Sequence, residues 1–182
     1  MHIQKIISAF LLLTQQCCFT SAATSHLRRQ HADVGELDTR IIGGTEAVED
    51  RYPYAVSLRN EFGHFCGGSL IAKDVVLTAA HCQESYYYVV ISQHDMIENY
   101  DGEALYVKHD LPHPNYIEET TDADFMLVFL NGAFENADVV RLNCDSSVPA
   151  VGQEVTVMGW GDFEVDPAVS SMSDVLMNVN VN

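Results

Sequence analysis

From Ile41 onward the apolar residues come in short runs, and a turn signal cuts each run off. Strands broken by turns at roughly 8–12-residue intervals are the pattern of an all-β barrel or sandwich. A first run, 54–58, follows Pro53, and a second covers 64–71 after the turn-like Asn60-Glu61-Phe62-Gly63. The second carries Gly67 and Gly68, where backbones approach closely or a strand bulges. Lys73-Asp74 turns the chain into a third run, 75–78. Residues 86–91 are dense in aromatic and β-branched side chains, and 104–108 follow a Tyr100-Asp101-Gly102 turn. Residues 125–130 are continuously apolar, so they are expected to be buried on both faces.

The residues before Ile41 have a different character. Lys5, the apolar stretch 6–13 and the small residues Ser21-Ala22-Ala23 read as a secretory leader over 1–23, with an apolar core too short to span a bilayer. Residues 24–40 are polar, contain Arg28-Arg29 and read as an exposed propeptide. No later stretch is long and apolar enough to be a membrane span, so the expectation is a secreted, oxidised protein. The 182 residues are 47% apolar, enough for one packed core. The net charge of −17 argues against nucleic acid or an anionic membrane as partner. An acidic surface of this kind favours solubility and attracts cations over about 8 Å at physiological salt.

Four short motifs then narrow the reading. In order they are Arg40-Ile41-Ile42-Gly43-Gly44, Cys66-Gly67-Gly68-Ser69-Leu70-Ile71, Leu77-Thr78-Ala79-Ala80-His81-Cys82 and Asp122-Ala123-Asp124-Phe125-Met126-Leu127. From Arg40 to about Gly161 the chain resembles the trypsin/chymotrypsin family of serine proteases. The resemblance implies a six-stranded antiparallel Greek-key barrel over 41–147, the first of two in that family. It implies the start of a second barrel over 148–182, expected to be truncated. Residues 153–161 look like the opening strand of that second barrel, and the end of the chain alternates, with Val175, Met177, Val179 and Val181 on one face and Asn178, Asn180 and Asn182 on the other.

By the same resemblance His81 is the base and Asp124 the carboxylate that orients it. Histidine titrates nearest physiological pH, which suits proton transfer. Asp124 opens an apolar strand, so it should be partly buried, and a buried carboxylate needs a partner such as an imidazole N–H. Asp122 fits a turn. Arg40-Ile41 looks like the activation bond, cut by an activating protease to free an ammonium on Ile41. The family's nucleophile lies in Gly-Asp-Ser-Gly-Gly, which does not occur here. Asp145-Ser146 lacks the glycines of that turn and reads as a polar loop, and Ser69 matches a structural serine. The chain alone is therefore expected to be inactive. Its complete form would cleave protein or peptide substrates, without a cofactor.

With Cys17 and Cys18 removed in the leader, we pair Cys66 with Cys82 around the histidine and expect Cys144 to be left over. Gln93 to Glu103 resembles the family's calcium loop, and Asp95, Glu98, Asp101 and Glu103 could offer oxygens. Gln93 stands where calcium-binding relatives have a glutamate, so a solvated acidic loop and no metal are expected. Two other readings follow from the absent serine. One is a non-catalytic, protease-derived secreted binding protein; the other is a product that folds poorly because half a barrel exposes strand edges.

Overall fold

The computed structural model describes residues 41, 43–97, 102–162 and 172–182. Nine strands carry the described fold. The first is β1 (Thr45–Glu46), followed by β2 (Ala55–Asn60), β3 (Gly63–Ala72), β4 (Val75–Thr78) and β5 (Tyr88–Ile91). Then come β6 (Glu103–Pro112), β7 (Met126–Leu130), β8 (Val155–Gly159) and β9 (Met177–Val181). A 3-10 turn, Ala80–Cys82, follows β4. No helix among the described residues is long and apolar enough to cross a membrane.

Strands β2 to β7 close into an antiparallel barrel in the order β2-β3-β4-β7-β6-β5, with β5 returning to β2. Closure lets alternate residues from all six strands meet in one core. Val56, Leu58, Leu70, Val76, Val89, Met126, Val128 and Phe134 are fully buried there. Gly68 earns its place by a close approach: a Cβ would lie 2.8 Å from Val76 Cγ1 and 3.1 Å from the Leu77 carbonyl. Gly67 has no such constraint, with its nearest neighbour, the Val56 carbonyl, at 4.0 Å.

The barrel departs from the sequence reading in three strands. Strand β6 runs through Pro112, past the expected end at Lys108, because it pairs with both β5 and β7. An irregularity between Val107 and His109 lets it turn the corner between them. Residues 86 and 87 precede β5, and Phe125 stays 40% exposed outside β7, because the Phe125 N–H is taken by the Ala123 carbonyl.

The second sheet has the order β1-β9-β8. Strands β8 and β9 pair in register, placing Val155 opposite Val181 and Val157 opposite Val179. A small core of Ala47, Ala55, Trp160 and Leu176 lies beside it, with Tyr52 and Met96 packed against these residues. Ile41 is 5% exposed, and its N–H donates to the Asp162 carbonyl at 2.7 Å.

Residues 142–153 fall in a different compact unit from 39–141 and 154–182. Within them the Asp145 carboxylate accepts the Ser147 N–H at 2.9 Å and the Ser147 hydroxyl at 2.7 Å. Those bonds hold its pKa below the ordinary aspartate value. Cys144 is disulfide-bonded, with its partner outside the described residues, which corrects the expectation of a left-over cysteine.

Candidate active site

Strand β4 delivers its last residue, Thr78, to the rim of the barrel, where its hydroxyl donates to the Gly67 carbonyl at 2.7 Å. Ala79 is extended, and the chain then tightens into the 3-10 turn that carries His81. The Cys82 N–H donates to the Ala79 carbonyl and the Gln83 N–H to that of Ala80, which closes the turn. Cys82 is disulfide-bonded to Cys66 on β3, with Cα atoms 6.1 Å apart. The bond ties the turn to the barrel wall. Closing a loop of this size, 16 positions in sequence, is worth about 3 kcal/mol in the chain-entropy model.

Asp124 arrives from the other side of the rim, just before β7. The approach is strained: Thr121 and Ala123 hold φ at 52° and 55°, a region that costs a β-branched residue most. The Asp122 carboxylate accepts the Thr120 hydroxyl at 3.1 Å within the same turn, as expected for a turn residue. Asp124 Oδ1 accepts the His81 backbone N–H at 2.9 Å, and Oδ2 lies 2.7 Å from His81 Nδ1. The carboxylate is largely covered and the imidazole half exposed.

Electrostatics fix the tautomer. Burial works against the Asp124 charge. Hydrogen bonds from the His81 side chain, the His81 N–H and the Ala80 N–H outweigh it, so the Asp124 pKa falls below its ordinary value. An ionised carboxylate only accepts, so His81 Nδ1 must carry the proton that bridges to Oδ2. In neutral imidazole that leaves a lone pair on Nε2. The pair can take a proton from a hydroxyl and pass it on, and the adjacent carboxylate stabilises the imidazolium formed in between.

A family model described as Trypsin matches residues 41–182. The chain belongs to the trypsin family. Among curated relatives of this family it is 38% identical to Trypsin-3 of Homo sapiens over 128 residues, which is 69% of this chain and 41% of that one. It is 37% identical to Trypsin of Sus scrofa over 69% of this chain and 54% of the relative. It is 34% identical to Granzyme-like protein 2 of Rattus norvegicus over 78% and 58% respectively. The chain thus spans about half the length of the curated relatives it matches.

The other residues singled out in this trypsin-family sequence are placed as follows. Arg40, Glu98 and Asp101 lie outside the described residues, so the activation bond and calcium loop are seen only in part. Asp95 Oδ1 accepts the Ile97 N–H at 2.7 Å, and Glu103 is exposed on β6. Among the described residues, Cys66, His81 and Cys82 lie close enough to share an ion, but the two sulfurs are bonded to each other.

The sequence reading missed a second layer beneath His81. The Gln83 amide donates to Asp110 Oδ1 at 2.9 Å, and the buried Tyr87 hydroxyl donates to Oδ2 at 3.3 Å. Burial first, then the Asp110 charge and hydrogen bond, raise the Tyr87 pKa well above that of an ordinary phenol. The trio anchors the segment that leaves the 3-10 turn. Gln83 and Asp110 are 27 positions apart and sit in no motif. The one signal was a tyrosine among apolar neighbours, whose hydroxyl needs a partner when buried.

Proposed function

We propose that these residues are the N-terminal part of a secreted serine endopeptidase precursor. Residues 1–23 are its leader, 24–40 its propeptide, 41–147 its first barrel and 148–182 the beginning of its second. The observation that carries the reading is the two-point grip of Asp124 on His81, through Nδ1 at 2.7 Å and the backbone N–H at 2.9 Å. In the complete protein a serine outside these residues supplies the nucleophile. Its Oγ attacks a peptide carbonyl while His81 Nε2 takes the hydroxyl proton. The imidazolium, held by Asp124, then gives that proton to the departing amine, and water repeats the sequence on the acyl-enzyme.

Cleavage of Arg40-Ile41 supplies the activation step. The Ile41 nitrogen is already buried and engaged by the Asp162 carbonyl. As a peptide nitrogen it has one hydrogen to give. As an ammonium it has three, and a positive charge that requires a carboxylate from the second barrel.

A fluorophosphonate probe tests the proposal. The 182-residue chain is expected to stay unlabelled, and a form extended along its own transcript to a Gly-Asp-Ser-Gly-Gly segment is expected to label after cleavage before Ile41. A transcript that stops after codon 182 overturns the precursor reading in favour of a non-catalytic binding protein. Labelling of the 182-residue chain itself overturns the assignment of the nucleophile to residues outside it.

A further inference from the structure

The hairpin between β2 and β3 ends in Glu61-Phe62, and Phe62 is 89% exposed at its tip. The tip is ordered, because the Phe62 N–H donates to Asn60 Oδ1 at 2.9 Å. Facing it is the segment that leaves the His81 turn, with Glu84 and Tyr86, backed by Tyr88 on β5 and Tyr106 on β6. Together they enclose an open groove of about 430 Å³. The three tyrosines form one cluster, with Tyr106 centred 5.6 Å from Tyr86 and 5.9 Å from Tyr88. The Tyr86 and Tyr106 rings meet at a tilt of 36°.

Aromatic surface this exposed is costly in water without a purpose. Tyr86 is 73% and Tyr106 55% exposed, beside the still more open Phe62. What the groove could hold is set by its charge. Among the described residues its ionised groups are the carboxylates of Glu61 and Glu84, and no lysine or arginine lines it. The whole chain adds to the field, with 26 acidic residues against 9 basic ones. An anionic partner is repelled, and a neutral apolar one would bury two carboxylates unpaired. A cation satisfies both features, because tyrosine faces attract it through their quadrupole and the carboxylates at the rim pair with it.

We propose that this groove docks a lysine- or arginine-bearing segment of a partner protein. It is a surface separate from the His81–Asp124 pair and does not depend on the protease reading. The guanidinium or ammonium lies over the tyrosine cluster, its stem covers Phe62, and Glu61 and Glu84 close on the charge. The groove opens three residues after His81, so a partner held there sits on the segment that anchors the histidine turn.

Fluorescence anisotropy of the full chain with a fluorescein-labelled Gly-Arg-Gly-Arg-Gly-Arg-Gly peptide, at about 0.15 M salt to screen diffuse attraction, tests this. Tyr86→Ala with Tyr106→Ala, and separately Glu61→Gln with Glu84→Gln, are each expected to weaken binding about tenfold. All four side chains are largely exposed or at the rim, so folding should survive; an unchanged thermal melt verifies it. Glu135→Gln with Asp138→Asn, which removes the same charge elsewhere on the surface, is expected to change binding less than twofold. A twin peptide with citrulline in place of arginine is expected not to bind. Asp124→Asn is expected to leave binding unchanged. Equal loss in the Glu135/Asp138 control reduces the attraction to general acidity and overturns the proposal. So does retention in the tyrosine pair, or a loss in Asp124→Asn that moves the peptide to the other site.

Discussion

The closed barrel and the three-stranded sheet are built from the same alternating valines, yet they bury them differently. Val76, Val89 and Val128 are fully buried in the barrel, whereas Val155, Val157 and Val181 of the sheet are 37%, 45% and 42% exposed. Alternation decides which face of a strand is apolar; it does not decide whether that face is covered. Coverage comes from closure. In the barrel β5 returns to β2 and every strand has two neighbours, while in the sheet β8 and β1 each have one neighbour among the described residues. The chemistry follows the same division. The barrel's rim holds His81 and Asp124 in fixed geometry, and no part of that pair draws on the sheet.

The largest way to sharpen the contrast is to break the pair. Asp124→Asn, made in a form extended to carry a nucleophilic serine, is expected to lower kcat by about 10⁴-fold, because the amide favours the wrong tautomer. Steady-state hydrolysis of a peptide ester would measure it, and a loss under about tenfold would mean that Asp124 does not set the His81 tautomer. Next is the barrel core. Phe134→Ala is expected to cost about 3–5 kcal/mol in urea unfolding, since Phe134 is fully buried among residues of the barrel core. Removing the disulfide with Cys66→Ala and Cys82→Ala should cost about 3 kcal/mol. It should also loosen the turn carrying His81, seen as faster amide exchange at residues 80–83.

Much of this division was legible in the sequence, for identifiable reasons. The barrel strands showed because each is short, apolar and bounded by a turn, and the His81 and Asp124 motifs lie at strand ends where a rim site must be. The full length of β6 was not legible. Its pattern breaks at Val107 and His109, where the strand bends to serve two neighbours, and a bend of that kind reads as an end. The strain at Thr121 and Ala123 was equally silent, because neither residue type advertises a positive φ. Nor could spacing reveal the Gln83–Asp110–Tyr87 bonds, which depend on which strands become neighbours.

Where barrel and sheet meet, acid should discriminate between them. His64 on β3 packs edge-to-face on Trp160, which follows β8, with ring centres 5.6 Å apart, and its Nδ1 lies 2.8 Å from Ser57 Oγ. Burial, with help from the Arg59 charge, lowers its pKa to about 4. The unfolded chain protonates this histidine near its ordinary value of about 6.5. As pH falls from there to about 4, the unfolded state therefore takes up the proton first and stability is lost. Above that window the group contributes no pH dependence, and below it the loss is complete. The expected decline is about 3 kcal/mol. Urea midpoints across the window should show it in the parent and a flatter profile in His64→Gln. An identical slope in both would mean that the ring is not kept neutral by its place against Trp160.

The smallest expected effect is the sharpest test of the difference itself. Val157→Thr keeps the β-branch and the strand propensity and exchanges one methyl for a hydroxyl. On an open face that hydroxyl is met by water, so the change should stay within about 0.5 kcal/mol. The same exchange at Val128, fully buried at the centre of β7, takes the hydroxyl out of water and should cost about 1–3 kcal/mol. Paired urea unfolding of the two variants reads the two faces directly. Should Val157→Thr cost as much as Val128→Thr, the sheet's valine face is covered in solution, and closure would cease to be what separates the two halves.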